Sequence, residues 1–223
     1  MQIVIALIFF AFAGCSSGLP IDYRSSKPVK AAEHKPSNSR ANNRLVIAGD
    51  TLYSIAWSCG CEIADLVKAN NLAPPYTIYP GQYLALPSRT TKRKVYKAIE
   101  EKSISANWSW PAQGKVLQSF GDGNQGVDYV LAKGSSISAT SSGEVVYSGS
   151  GLGGYRYLII IKHTPAYLSA YSLNIRTLVE EGQQVKGGEI LVSLNTSKRG
   201  DRLCHFEIRR NGVAINPELL ITK

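Results

Sequence analysis

Leu203-Cys204-His205-Phe206-Glu207-Ile208-Arg209 decides how the C-terminal half of this chain is read. It has the length of one β-strand, and neighbours on a strand point to opposite faces. With His205 turned toward one face, Cys204 is turned away from it. Working outward, short apolar runs recur at Ile190 to Leu194, Tyr167 to Tyr171, Tyr157 to Ile161 and Glu144 to Ser148, and Trp108-Ser109-Trp110-Pro111 opens the region. Tyr157 to Ile161 is almost continuously apolar, the pattern of a central strand buried on both faces, with Tyr167 to Tyr171 as its antiparallel partner. Gly182, Val185, Gly187 and Gly188 are spaced as tight turns. Many short strands joined by glycine turns make residues 107–223 a β-rich sandwich or barrel.

Residues 44–87 read differently. Leu45-Val46-Ile47 is a short strand, and Gly49-Asp50-Thr51 opens a helix with Asp50 as its expected N-cap. Leu52, Ile55 and Ala56 give that helix an apolar face. Ile63, Leu66 and Val67 recur at helical spacing within a second helix, Glu62 to Ala69, which Asn70-Asn71 ends. Pro74-Pro75 is a turn, and Tyr79-Pro80-Gly81 leads into a last strand, Tyr83 to Leu86. The fold class is therefore multidomain: a small α+β unit of order βααβ, then an all-β unit.

The remaining segments connect and anchor. Residues 15–43 are polar, basic and broken by Pro20, Pro28 and Pro36, too poor in apolar surface to order themselves. As a flexible coil they reach roughly 30 Å on average, and about 90 Å fully extended. Residues 88–106 form a second basic linker. With 25 Lys and Arg against 16 Asp and Glu the formal charge is +9. The excess gathers in these linkers, at Lys27, Lys30, Lys35, Arg40 and Arg44 and at Arg89, Lys92, Arg93, Lys94 and Lys97, and no nucleic-acid motif accompanies it. Gln2 to Ala13 is apolar, too short to span a bilayer and of signal-peptide length, although no Lys or Arg precedes it. Residues 1–14 are accordingly read as a signal peptide, and Phe12-Ala13-Gly14-Cys15 looks like a lipobox that would lipidate Cys15 and anchor the chain to a membrane. Cys59, Cys61 and Cys204 then remain. Cys59 and Cys61 stand too close together for an unstrained bridge, and all three are expected as small buried hydrophobes.

Two resemblances give these units a function. Gly49-Asp50-Thr51-Leu52-Tyr53-Ser54-Ile55-Ala56, Leu66 to Asn71 and Ile78-Tyr79-Pro80-Gly81-Gln82 resemble a LysM domain, a family that binds N-acetylglucosamine-containing glycans such as peptidoglycan. The resemblance implies a sugar groove between Gly49, Asp50, Thr51, Leu52 and Tyr53 on one side and Ile78, Tyr79 and Gly81 on the other. Gly123-Asn124-Gln125-Gly126-Val127-Asp128 and the strand from Leu203 to Arg209 resemble the signature regions of LytM (lysostaphin-like) zinc endopeptidases. Gly182 to Val185 and Asn216-Pro217 extend the match.

Active members of that family carry His-x-x-x-Asp, Tyr-Ala-His and His-x-His-Phe-Glu. Here Asn124, Leu173 and Leu203 stand at three of the histidines, and Asp128 and His205 alone remain at ligand positions. A catalytic zinc needs about three protein ligands and an open position for water, and no base is left to activate that water. The resemblance therefore implies no catalytic residues, no metal and no cofactor. Asp128 and His205 are also read structurally, as a hydrogen-bonded pair tying two strands.

The order of lipobox, LysM, linker and degenerate LytM unit resembles the NlpD-type lipoproteins of Gram-negative bacteria. That resemblance implies an outer-membrane lipoprotein facing the periplasm. It would bind peptidoglycan and activate a periplasmic N-acetylmuramoyl-L-alanine amidase for septal peptidoglycan splitting. The expected partner groove comprises Asn124, Asp128, Tyr155, Arg156, Tyr171, Leu173, Leu203 and His205, with Leu173 and Leu203 as an apolar seat for a helix. Two alternatives stay open: a structural tether from outer membrane to wall, and an unusual zinc endopeptidase.

Overall fold

The computed structural model describes residues 43–87, 107–150, 157–195 and 202–221, all within one compact unit, residues 39–223. The expected lipidation site Cys15, the tether, the basic linker, and Tyr155 and Arg156 lie outside the described residues.

The first module runs β1 (Asn43–Leu45), α1 (Leu52–Cys59), α2 (Ile63–Ala69) and β2 (Tyr83–Ala85). β1 and β2 pair antiparallel, with Arg44 opposite Leu84. Val46, Leu52, Ile55, Ala56, Leu66 and Leu84 form the small core. The N-cap of α1 is Thr51, not the expected Asp50. The Thr51 hydroxyl accepts from Ser54 N–H while the Ser54 hydroxyl accepts from Thr51 N–H, a reciprocal cap. Asp50 is drawn back instead to Arg44 Nη2 at 3.2 Å and to the N–H of Ile47 at 3.0 Å. Asn70 ties α2 to β2, accepting from Ala85 N–H at 2.7 Å and donating to the Ala85 carbonyl at 2.9 Å.

Cys59 and Cys61 are joined by a disulfide, which corrects the expectation of free thiols. Gly60 between them ends α1 in the left-handed region, φ 62° and ψ 37°. That bend brings the Cα atoms to 5.4 Å, inside the range a bridge requires. Cys204 is buried and reduced, as expected.

The second module contains β3 (Gly114–Gln118), β4 (Val127–Leu131), β5 (Ser136–Ser138), β6 (Gly143–Gly149), β7 (Tyr157–Lys162), β8 (Tyr167–Leu173), β9 (Gln184–Val185), β10 (Ile190–Ser193), β11 (Leu203–Arg210) and β12 (Val213–Ile215). The large antiparallel sheet has the order β3-β4-β11-β8-β7-β6-β9, with β12 also on β11, and β5 and β10 make a separate short sheet. Ile137 of β5 and Leu191 and Val192 of β10 pack with Val127, Ile159, Tyr171 and Phe206 of the large sheet to form a two-layer core.

β7 explains its own sequence. Ile159 and Ile161 point into that core. Leu158 and Ile160 point to the opposite face and join Val146, Tyr147 and Ala170, where Tyr53 and Trp57 of the first module pack on them. Burying such a side chain is worth roughly 1.5–3 kcal/mol, so the continuous apolar run is satisfied only because α1 covers the second face. Gly212, in the turn between β11 and β12, seals the contact. A β-carbon there would lie 2.7 Å from the Cys61 carbonyl carbon and oxygen, and its φ is +75°.

Candidate functional site

Register assembles the site. β11 lies between β4 and β8, with His205 opposite Asp128 on one side and Ser172 on the other. Opposed residues share a face, so Asp128 and His205 meet as the sequence suggested. His205 Nδ1 is 2.6 Å from Asp128 Oδ1, and His205 Nε2 is 2.9 Å from Glu207 Oε1. Residues two and four further along β11 share that face. Accordingly Arg209 Nε donates to Glu207 Oε2 at 2.8 Å, and Arg209 Nη1 donates to the Trp57 carbonyl at 2.7 Å. The Arg209 guanidinium lies 3.5 Å from the centre of the Trp57 ring. A continuous polar line thus runs from Asp128 through His205, Glu207 and Arg209 into the first module. Strict alternation of His205, Glu207 and Arg209 was the sequence signal for it, and Arg209 and Trp57 were missed because their partners are remote in the chain.

The protonation of His205 follows from its neighbours. Burial disfavours its charged form, but hydrogen bonds and negative charge from Glu207 and Asp128 outweigh this and its pKa is raised. His163 is the contrast. Burial lowers its pKa, against a hydrogen bond from Nδ1 to the Ser142 carbonyl that raises it.

A zinc ion does not fit these donors. Asp128 and Glu207 sit on opposite edges of the His205 ring, so an ion beside Nδ1 would find at most Asp128 and His205 in this group, short of the about three protein ligands a catalytic zinc needs. Asn124 Oδ1 accepts from Gly126 N–H at 3.3 Å, and the amide therefore turns its NH2 group toward Asp128 Oδ2, also at 3.3 Å. It offers a donor where a metal needs a lone pair. Among the described residues no group of three His, Cys, Asp or Glu is arranged to hold a metal.

The expected groove is partly corrected. Leu203 is on the His205 face and 42% exposed. Leu173 and Tyr171 are 1% and 0% exposed, in the core on the other face, where Leu173 opposes Cys204 and Tyr171 opposes Phe206. Tyr171 is fixed there by Thr140 N–H, which donates to its hydroxyl at 2.8 Å. Neither can form a wall or floor for a partner, because an even number of residues separates them and strand alternation sends both inward. Cys204 shares that environment, and burial followed by the Asp128 charge pushes its thiol up to about 12.

The expected sugar loops lie side by side in the first module. Gly81 N–H donates to the Val46 carbonyl and Val46 N–H to the Gln82 carbonyl, both at 2.8 Å, which brings Ile78 to Gly81 against the chain entering Gly49. Gly49 and Gly81 are exposed, as is Tyr79. Leu52 belongs to the core. Thr51 and Tyr53 are half-buried against the sheet, the Thr51 hydroxyl donating to the Val146 carbonyl at 3.4 Å.

A βααβ module seated on a two-layer β module with a LytM-type sheet defines the class. Residues 45–87 match the LysM domain, and residues 122–217 match Peptidase family M23. The chain is 34% identical to "Lipoprotein NlpD/LppB homolog" of Pseudomonas aeruginosa, over 95% of its own length and 88% of the relative's. It is 35% identical to "Murein hydrolase activator NlpD" of Salmonella dublin, covering 92% of this chain and 55% of that protein, and 34% identical to "Uncharacterized lipoprotein YgeR" of Escherichia coli, covering 76% of each. The chain belongs to the NlpD/LppB lipoprotein family.

Proposed function

We propose that this protein is a non-catalytic envelope lipoprotein that binds peptidoglycan through its LysM module and activates a periplasmic N-acetylmuramoyl-L-alanine amidase through its M23-type module. The observation that carries the reading is the shortage of ligands beside His205: Asp128 alone shares the Nδ1 edge of its ring, and Asn124 turns its amide NH2 toward Asp128, where a catalytic zinc needs about three protein ligands. The names of the relatives support activation over hydrolysis. The exposed Leu203, flanked by Asp128 and His205, presents an apolar point beside polar groups, a surface suited to the apolar face of a partner helix. Binding there activates only if it favours the amidase's open state over its closed one. The anchor is Cys15, which would place the protein on the outer membrane facing the wall.

The test is release of labelled peptidoglycan from sacculi by the mature protein, by the amidase of the same bacterium, and by both. Release well above the amidase's own level only from the mixture supports activation. Chelator-sensitive release by the protein alone would make it a hydrolase. A mixture no better than the amidase alone would leave a structural tether.

A further inference from the structure

Away from Asp128 and His205, the two modules enclose a cleft of about 440 Å³ between α1 and α2 on one side and the β7–β8 turn and β11–β12 turn on the other. That volume is in the range of small-ligand sites. Tyr53, Trp57 and Tyr76 line it from the LysM module, and Lys162 lines it from the end of β7. Tyr76 is 43% exposed and held at φ 61°, a conformation rare for a bulky residue and one found disproportionately at functional sites. The Lys162 ammonium lies 5.9 Å from the centre of the Tyr53 ring. Arg209 also lines the cleft but is committed to Glu207 and Trp57, and Glu62 is the lining carboxylate. No carboxylate pairs with Lys162 among the described residues. Aromatic rings beside an unpaired ammonium suit a ligand with flat or apolar surface and a carboxylate.

Tyr53 belongs both to this cleft and to the Gly49–Tyr53 loop assigned to the sugar. Tyr53 is therefore the residue through which the expected sugar loop adjoins the cleft, with the Lys162 ammonium 5.9 Å from its ring centre. We propose that the cleft binds the peptide stem of peptidoglycan, with Lys162 pairing a stem carboxylate, so that the two modules build one composite site. The inference rests on the LysM module being a glycan binder. It gives the M23-type module a part in wall recognition, and it selects glycan that still bears the peptide an amidase removes.

The experiment titrates the mature protein with three probes: chitotetraose, a disaccharide–tetrapeptide from peptidoglycan, and the same disaccharide after amidase treatment, which keeps the lactyl carboxylate but loses the peptide. Wild type is expected to bind the peptide-bearing probe about tenfold more tightly than the other two, the scale of one charge-assisted contact. Lys162→Gln should erase that preference and leave chitotetraose binding unchanged, and Lys162→Arg should retain most of it. Equal binding of all three probes by wild type, an undiminished preference in Lys162→Gln, or a preference that survives amidase treatment would overturn the composite site while leaving the LysM reading intact. No binding of any probe would overturn both.

Discussion

The two faces of the large sheet are built from the same strands and do opposite work. On one face Tyr171, Leu173, Cys204 and Phe206 close against the short β5–β10 sheet in an apolar layer. On the other, Leu203, His205, Glu207 and Arg209 alternate with them along β11 and carry a line of charge from Asp128 to Trp57. Two positions that the LytM resemblance gives to histidine now hold leucine, yet they have different fates. Leu173 lies in the core, and Leu203 lies at the surface. A leucine turned inward adds packing, whereas one turned outward leaves an exposed apolar contact point.

Truncating the dry face should cost most. Phe206→Ala removes a fully buried ring that packs on Tyr171 at 5.4 Å and faces Trp110, and the expected loss in a denaturant titration is about 4 kcal/mol. On the charged face, Arg209→Leu leaves the buried Glu207 carboxylate with His205 as its remaining partner among those described and removes the cation over Trp57. A loss of about 3 kcal/mol is expected, with faster proteolysis between residues 87 and 107 as the LysM module loosens. A loss below about 1 kcal/mol, the scale of an exposed pair, would mean that the charged line does not hold the modules together.

The dry face was largely legible in the sequence, because period and strand length report burial against neighbours on the same sheet. β7 even announced a cover on both sides, although nothing in its residues named α1 as that cover. The βααβ order was legible as well, apart from the N-cap, where Ser54 gave Thr51 a reciprocal partner that Asp50 lacked. The meeting of Asp128 and His205 was anticipated from the family pattern. Arg209 on Trp57, Lys162 at the cleft and Gly212 on Cys61 were not, since each joins residues about 100 or more apart in sequence. The disulfide was not legible for a local reason: cysteines two apart read as too near each other for an unstrained bridge, and the left-handed Gly60 sets their Cα atoms 5.4 Å apart.

Gly212→Ala probes the seam directly. The new methyl would press on Cys61 backbone and hold a positive φ that only glycine adopts freely, so about 1–2 kcal/mol should be lost. The two histidines then give a smaller effect with opposite signs. His205 has a raised folded pKa, so its contribution is fully present below the unfolded value of about 6.5 and fades as pH rises through the folded value. His163 has a lowered folded pKa, so its contribution is fully present above the unfolded value and fades as pH falls toward the folded one. Stability measured across this range should lose its fall at rising pH in His205→Gln and its fall at declining pH in His163→Gln. Equal slopes in both variants would erase the distinction between the two sites.

Leu203→Ser should barely move stability, within about 0.5 kcal/mol, because the side chain is 42% exposed and opposes only the half-buried Val130. Its effect belongs in the mixed assay. If Leu203 seats the partner, amidase stimulation should fall by about tenfold or more while glycan binding is untouched, as truncating an apolar anchor at an interface costs at least about 1–2 kcal/mol. Leu173→Val, inside the core, should show the reverse pattern, with about 1 kcal/mol of stability lost and stimulation retained in the folded fraction. A variant pair that behaved the other way round would mean that partner binding opens the core and reaches Leu173, and the outward face would then be only a solvated surface.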